Sequence, residues 1–144
     1  MTFDRIDMAQ FSQDLIDLRR DFHRYPESGW TEFRTTARII TELEKLHVRE
    51  KMLGLPDQET LEACWLRAES ECDRHDLLED MRGGYTGCLT VIEGALPGPT
   101  IGIRVDIDCN DVEEADDPGH APCAQNFRSV HHACMHACGH DAHA

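Results

Sequence analysis

A stripe of apolar residues near the start of the chain predicts the first helix. Between residues 8 and 24, apolar side chains recur at steps of three and four, the spacing of one helix face. The stripe consists of Met8, Phe11, Leu15, Leu18 and Phe22. Asp7 is of the residue type preferred at an N-cap. Pro26 and Gly29 interrupt the pattern, because a proline disfavours helix in the residue before it and a glycine favours a turn.

Helical spacing returns in two further segments. Residues 31–46 keep Phe33, Ala37, Ile40 and Leu43 on one face, which predicts a second helix. Residues 52–82 are also helical in period but contain many acids, so we expect a helix or helix pair lying on the surface after a turn at residues 54–56. Gly83 and Gly84 end this segment.

After Gly84 the apolar period changes from helical spacing to two. Residues 85–93 are rich in Thr, Val and Ile, and residues 101–107 alternate apolar with polar or glycine positions, so two strands joined by a turn at 94–99 are predicted. Helices followed by strands indicate an α/β fold in which helices cover a sheet. Two strands are too few for a sheet with two buried faces, so we expect the chain to be the beginning of a larger domain.

Charge and composition exclude several classes of protein. The chain has 144 residues and a formal net charge of −14, which disfavours binding to nucleic acid or to an anionic membrane surface. No apolar run approaches the roughly 20 residues of a membrane span, and the first residues lack the apolar stretch of a signal peptide. We therefore expect a cytoplasmic protein.

Cysteine and histidine are concentrated at the C-terminal end. The chain has seven cysteines and nine histidines, and the odd cysteine number without a secretion signal favours reduced thiols over a disulfide framework. Thiolate and imidazole are the ligands preferred by zinc and the later first-row metals, so this cluster predicts a metal site. Its members between residues 131 and 143 are His131, His132, Cys134, His136, Cys138, His140 and His143.

The best-formed unit of this cluster is Cys138-Gly139-His140. Gly139 allows a sharp backbone turn, so both flanking side chains can converge on one metal, and Asp141 can orient a neighbouring histidine. Ordinary roles stay open for the other members. An isolated cysteine is usually a small core residue, an isolated histidine is usually a surface or core group, and a histidine-rich end also binds metal adventitiously. The roles of His131, His132, Cys134, His136 and His143 are left open.

Two other segments carry candidate chemistry. Asp106 and Asp108 end the second predicted strand, where α/β proteins place their sites, although the acids that follow also fit a solvated acidic loop. Residues 19–27 place several polar groups at the end of the first helix, where a structural role is favoured. Those following acids are Asp111, Glu113, Glu114, Asp116 and Asp117.

Together these segments resemble the N-terminal part of the M20 metallopeptidase family, in its amidohydrolase branch. The matching stretches are Arg19–His23 with Pro26-Glu27, then Gly102–Asp108, then Met135–His143, and the last is highly specific. Residues 27–35, 54–57 and 83–87 favour the part of this branch that contains p-aminobenzoyl-glutamate hydrolases. The resemblance covers nearly the whole chain.

The resemblance implies a fold and an activity. It implies that residues 1–144 are the N-terminal portion of a zinc-peptidase-like three-layer α/β/α catalytic domain, without the dimerisation domain. The activity implied is hydrolysis of the amide bond of N-acyl amino acids such as p-aminobenzoyl-glutamate. The complete site would hold one or two divalent metal ions, zinc or manganese. A homodimer or a heteromeric partner subunit is the implied assembly of the full-length enzyme.

The resemblance also assigns site residues. It implies that Cys138 and His140 are metal ligands and that Asp106 and Asp108 lie near the metal centre. It places the general-base glutamate and the remaining ligands beyond residue 144, so no catalytic residue is named and the chain alone is expected to be inactive. The substrate-binding residues are unknown.

Two alternatives come from other classes of protein. One is a non-catalytic metal-binding module or regulatory subunit, in which Cys123, Cys134, Cys138 and the histidines close a structural zinc site. Removing the metal would then unfold the chain. The other is a fold completed by a separate chain that supplies the missing strands and ligands.

Overall fold

The computed structural model describes residues 7–44 and 57–144. The helices in this part of the chain are α1 (Met8–Arg24), α2 (Phe33–Glu44), α3 (Gln58–Glu71), α4 (His75–Asp80) and α5 (Ala121–Ala124), followed by a 3-10 turn at His140–Ala142. The predicted first helix is confirmed at both ends. Asp7 caps it, since its carboxylate accepts from the backbone N–H of Ala9 at 3.0 Å and of Gln10 at 3.2 Å.

Helix α2 begins at Phe33, two residues later than predicted, because a carboxylate outside the helix caps it. The buried Glu27 accepts from the backbone N–H groups of Arg34 at 3.0 Å and Thr35 at 2.7 Å, where unpaired helix N–H groups need acceptors. Burial raises the pKa of Glu27, and these hydrogen bonds only partly oppose the shift. The predicted end of the helix at residue 46 and the turn at residues 54–56 lie outside the described residues.

The apolar core lies between α2, α3 and α4. The expectation that residues 52–82 lie on the surface is therefore wrong for α3 and α4, whose apolar side chains form most of this core. The acids of α3 and α4 lie on the opposite helix faces, so a polar composition concealed a buried stripe. Trp65 is almost fully buried and donates its indole N–H to the carbonyl of Leu78 at 2.9 Å. The core residues are Phe33, Ala37, Leu61, Trp65, Ala68, Leu77, Leu78 and Met81.

The two strands predicted at residues 85–93 and 101–107 are not formed in the described part of the chain, so this prediction is wrong. Ile101 and Ile103 are more than 80% exposed, at 81% and 87%. A strand needs neighbours that take its backbone hydrogen bonds and cover its apolar side chains, and among the described residues Ile101 and Ile103 have neither. Isolated bridges occur instead, parallel between Ser28 and Cys109 and antiparallel between Asn110 and Met135.

Among the described residues, the contacts that anchor helix α1 are at its C-terminal end. Phe22 and His23 are buried, and this end contacts the 3-10 turn, whereas Met8, Phe11 and Leu15 in the first turns are exposed. The predicted stripe is therefore real, but little of the described chain covers its first half. None of the helices in residues 7–44 and 57–144 has the length and apolar character needed to cross a membrane.

Candidate metal centre

A left-handed glycine shapes the turn between Cys138 and His140. Gly139 has a φ of 78° and stands immediately before the 3-10 turn that begins at His140. A side chain at this position would meet no atom within 4 Å, so the requirement for glycine is conformational rather than spatial. The predicted sharp turn at Gly139 is present in the structure.

His140 is oriented by Asp108. Its Nδ1 donates to the backbone carbonyl of Asp108 at 2.8 Å and to the Asp108 carboxylate at 3.0 Å. A histidine that donates through Nδ1 has a lone pair on Nε2, and this is the arrangement found where a carboxylate orients a metal-binding imidazole. His140 therefore presents Nε2 as a free acceptor within the described chain.

Cys138 lies two residues before His140 in the sequence and has an exposed thiol. Its backbone N–H donates to the side-chain oxygen of Asn110 at 3.1 Å, and Asn110 in turn pairs with Met135 through two backbone hydrogen bonds. The backbone of Cys138 is thus fixed while its thiol stays accessible. An exposed thiol and an imidazole with a free nitrogen suit a divalent metal such as zinc, so these residues fit as two of its ligands.

The two predicted aspartates occupy different surroundings. Asp108 contacts His140, as described above, whereas Asp106 is half-exposed and forms an ion pair with Arg104 at 2.6 Å. The structure therefore brings Asp108, and not Asp106, into contact with the predicted ligands. The roles of all four predicted site residues stay predictions.

A buried network holds the 3-10 turn against α1. The imidazole of His23 lies between two carboxylates, with Nδ1 2.9 Å from Asp141 and Nε2 2.9 Å from Glu114. Burial alone would lower the pKa of His23, but these two hydrogen bonds outweigh it and the pKa is raised. Arg19 also contacts Asp141, at 3.3 Å. Because Asp141 follows His140 directly, the network fixes the segment that carries the candidate ligands.

Glu114 is the central acceptor of this network. It is almost fully buried and accepts from His23, from His120 at 2.8 Å and from the backbone N–H of Ser129 at 2.6 Å. Burial would raise its pKa, but the hydrogen bonds from these three donors lower it. Glu114 therefore remains a carboxylate that ties α1 to the loop after residue 108.

His136 is buried without a hydrogen-bond partner. Both ring nitrogens are unpaired among the described residues, as is one carboxylate oxygen of Asp141. Burial lowers the pKa of His136 to about 4, so its ring is neutral near pH 7. Two unpaired buried polar groups within the Met135–His143 segment mark it as the least satisfied polar region of the described chain.

The remaining candidates have structural contacts. His131 is buried between the carbonyl of Pro26 at 2.6 Å and the carboxylate of Glu71 at 2.8 Å. Cys134 is buried with its sulfur 3.5 Å from the hydroxyl of Ser28. His132 is exposed and pairs with Glu113 at 2.7 Å, and His143 stacks on His140 with ring centroids 5.4 Å apart.

Within residues 7–44 and 57–144, no group of three or more His, Cys, Asp or Glu side chains is arranged so that it could hold a metal ion. The closed structural zinc site of the first alternative needs such a group. In this part of the chain, Cys134 contacts Ser28 and Cys123 contacts the carbonyl of Ala115 at 3.2 Å. The described residues therefore do not assemble the closed site.

Sequence reasoning missed the residues that position the site. Glu114 was one of five acids assigned to a solvated loop, yet it is buried with three donors. In the sequence, Glu114 lies six residues before His120, and this spacing does not distinguish it from the neighbouring acids. His23 and Asp141 lie 118 residues apart in sequence, so no local pattern could have paired them.

Similarity to curated proteins covers most of the chain. The chain is 41% identical over 139 residues to a Haemophilus influenzae homolog of the A-type subunit of p-aminobenzoyl-glutamate hydrolase, covering 90% of this chain and 33% of the relative. It is 38% identical over 135 residues to the A-type subunit of the Escherichia coli p-aminobenzoyl-glutamate hydrolase, covering 87% and 31%. It is 36% identical over 146 residues to indole-3-acetyl-aspartic acid hydrolase of Enterobacter agglomerans, covering 94% and 34%. The chain thus spans about a third of the length of the curated relatives it matches.

A solved structure has the same fold. A Bacillus subtilis protein, described as a dinuclear metal-binding peptidase from the M20 family, superimposes with a TM-score of 0.57 and 31% identity over 92% of this chain and 28% of that chain. No family model matches the sequence. The resemblance and the fold class predicted from the sequence are confirmed: the fold is that of part of a peptidase domain.

Proposed function

The chain is related to the M20 family of metallopeptidases over most of its length, and from this premise we propose that it carries part of the metal centre of an amidohydrolase. Residues 1–144 then form the N-terminal portion of the catalytic domain, with the dimerisation domain outside it. The relatives are hydrolases of amide-linked amino acids by name, so the substrate class is an N-acyl amino acid.

The Cys138 thiolate and the His140 imidazole are two of the metal ligands in this proposal. The observation that carries it is the contact of His140 Nδ1 with Asp108, which leaves Nε2 free, together with the accessible thiol of Cys138 two residues earlier in the chain. Asp108 acts on His140 as the orienting carboxylate. Asp106 is paired with Arg104, and its proposed role is to contribute negative charge near the site.

The bound metal would acidify a water molecule and polarise the scissile carbonyl. The residues of this chain hold the ligands in place. Gly139 sets the turn, Asp108 fixes the ring of His140, and the His23 network keeps Asp141 and the 3-10 turn on α1. Since no group of three or more His, Cys, Asp or Glu side chains in the described residues could hold a metal ion, the 144-residue chain by itself is proposed to be inactive.

The proposal also covers the substrate, the metal, the assembly and the cellular compartment of the protein. p-Aminobenzoyl-glutamate is the proposed substrate because two of the relatives are named for it. A thiolate and imidazole pair favours zinc, and manganese is the alternative. A partner subunit is proposed because the Escherichia coli relative is named as one subunit of its hydrolase, with a homodimer as the alternative. All seven cysteines are free thiols, which supports the reducing cytoplasm.

Cobalt binding by the purified chain tests the ligand assignment. Co²⁺ bound to a thiolate gives a near-ultraviolet charge-transfer band, which we expect in the wild-type chain. Cys138→Ser should abolish the band, and His140→Gln should weaken binding by at least about tenfold. Cys123→Ser and His132→Gln are the matched controls and should bind Co²⁺ as the wild type does. Equal loss in the control variants would refute the assignment.

Hydrolysis assays separate the proposal from the structural-zinc alternative. The 144-residue chain with added Zn²⁺ or Mn²⁺ should not release glutamate from p-aminobenzoyl-glutamate, whereas a version extended to the length of the relatives should. The extended Cys138→Ser variant should lose this activity. If chelation unfolds the 144-residue chain, the metal is structural and the amidohydrolase assignment of Cys138 and His140 fails.

A further inference from the structure

A cavity of about 340 Å³ is lined in part by Asp108, the residue that contacts the candidate ligand His140. We propose that it binds the aromatic acyl group of the substrate, with the indole of Trp30 as the main contact surface. The proposal rests on the proposed function, because it assigns a subsite of the same reaction. The volume of the cavity falls within the range of small-molecule sites, about 300–1,000 Å³. The apolar part of the lining consists of Trp30, Ile39, Cys88, Val105 and Ile107.

Asp108 connects the cavity to the candidate metal centre. It lines the cavity, and its carboxylate is the group that accepts from His140 Nδ1 at 3.0 Å. Gly29 lies against its other oxygen, since a Cβ at Gly29 would be 3.5 Å from it. One residue thus lines the cavity and contacts a proposed ligand, so the proposed subsite adjoins the candidate metal centre.

Trp30 is in an unfavourable position for a structural tryptophan. Its side chain is exposed, at 58%, and its φ of 69° is in the left-handed region that large side chains rarely adopt. The turn is held without it, because Thr31 donates through both its N–H and its hydroxyl to the carbonyl of Ser28. An exposed, strained aromatic residue at a cavity that adjoins a candidate site indicates contact with a ligand.

Charge decides which end of an N-acyl amino acid occupies the cavity. Three carboxyl side chains line it, Glu32, Asp106 and Asp108, against one guanidinium, Arg104, which is already paired with Asp106. Such a lining repels the carboxylates of the amino-acid part. An uncharged aromatic acyl group meets no such repulsion and gains contact with the apolar wall.

Nuclear magnetic resonance of the two tryptophan indoles tests the subsite on the 144-residue chain without added metal. The probes are N-benzoylglycine and N-acetylglycine, which share the amide and the carboxylate and differ only in the acyl group. N-Benzoylglycine should shift the Trp30 indole signal saturably and leave Trp65, buried and bonded to Leu78, unchanged. N-Acetylglycine should shift neither. Equal responses to both probes, or no response at Trp30, would overturn the proposal.

Two variants separate binding from folding. Trp30→Gly removes the ring and relieves the positive φ, so the chain should be at least as stable as the wild type while its affinity for N-benzoylglycine falls by about tenfold. Trp30→Phe keeps an aromatic face with the same backbone strain and should bind within about threefold of the wild type. Unchanged affinity in Trp30→Gly would overturn the proposal.

The result is independent of the metal assignment. If Co²⁺ binds through Cys138 but N-benzoylglycine leaves the Trp30 signal unmoved, the subsite is wrong and the proposed function stands. If the Trp30 signal responds while Cys138→Ser leaves Co²⁺ binding unchanged, the cavity binds aromatic acyl groups and the metal assignment fails.

Discussion

The helical core and the segment after residue 108 are stabilised by different interactions. In the core, apolar side chains of α2, α3 and α4 such as Phe33, Trp65 and Leu78 pack together and are almost fully buried. In the C-terminal segment, buried carboxylates pair with histidines, as Glu114 and Asp141 do with His23. Apolar burial is not directional, whereas each hydrogen bond fixes the position of two atoms.

This difference matches what each region has to do. The core provides stability, and small shifts within it alter no reactive atom. The C-terminal segment carries the proposed ligands Cys138 and His140, and metal binding by these two side chains requires positions fixed within tenths of an ångström. A polar network suits that purpose but makes the segment sensitive to pH and to single substitutions.

The largest effect is expected in the core. Trp65→Ala should lower the free energy of unfolding by about 3–5 kcal/mol, because it leaves a cavity and removes one of the two hydrogen bonds that the Leu78 carbonyl accepts. Urea unfolding followed by far-ultraviolet circular dichroism measures the change. Leu66→Ala, one position along the same helix and 51% exposed, is the control and should change stability by less than about 0.5 kcal/mol. Similar losses in both variants would contradict the assigned core.

The next effect concerns the centre of the polar network. Glu114→Gln should lower the free energy of unfolding by about 2–3 kcal/mol, because the amide replaces a charged acceptor of three hydrogen bonds. Asp116→Asn, an exposed acid two residues away, should be nearly neutral. Co²⁺ binding should weaken in Glu114→Gln and not in Asp116→Asn. If Glu114→Gln leaves stability unchanged, this acid does not hold the network together and the solvated-loop alternative is favoured.

The sequence predicted the helices better than it predicted the contacts around the candidate site. The stripe and cap of α1 follow from spacing within one segment, and the ligand types of Cys138 and His140 follow from their side chains. The pairing of His23 with Asp141 depends on how distant segments meet, which local periodicity does not encode. The predicted strands failed for a related reason, since alternation reports a strand only where neighbours exist to pair with it.

Because its charged groups are buried, the polar network predicts a stability maximum in pH. The pKa of Glu114 is lowered from 4.5, so its contribution is present above pH 4.5 and is lost as the pH falls through its folded pKa. The pKa of His23 is raised from 6.5, so its contribution is complete below pH 6.5 and is lost as the pH rises through its folded pKa. We expect the free energy of unfolding, measured with urea between pH 4 and 9, to change less with pH on the alkaline side in His23→Gln than in the wild type. The exposed His132→Gln should retain the wild-type profile.

The left-handed backbone angle of Gly139 predicts a smaller effect on stability. Gly139→Ala should cost about 1–2 kcal/mol, because alanine is strained at a φ of 78° although nothing obstructs its methyl group. Gly102→Ala is the control, since its surroundings are equally open and its φ lies outside the left-handed region. Thermal unfolding measures the difference. Weaker Co²⁺ binding only in Gly139→Ala would show that the turn, and not stability alone, sets the ligand geometry.

The smallest effect is expected in residues 101–107, which belong neither to the helical core nor to the segment after residue 108. Ile103 is 87% exposed and has no ladder partner among the described residues, so Ile103→Thr should change the free energy of unfolding by less than about 0.5 kcal/mol. Threonine keeps the β-branched shape, so only the apolar character changes. A loss above about 1.5 kcal/mol in urea unfolding would mean that this segment is covered in solution. The alternating pattern would then report a real strand with a buried face, and the core would extend beyond α2, α3 and α4.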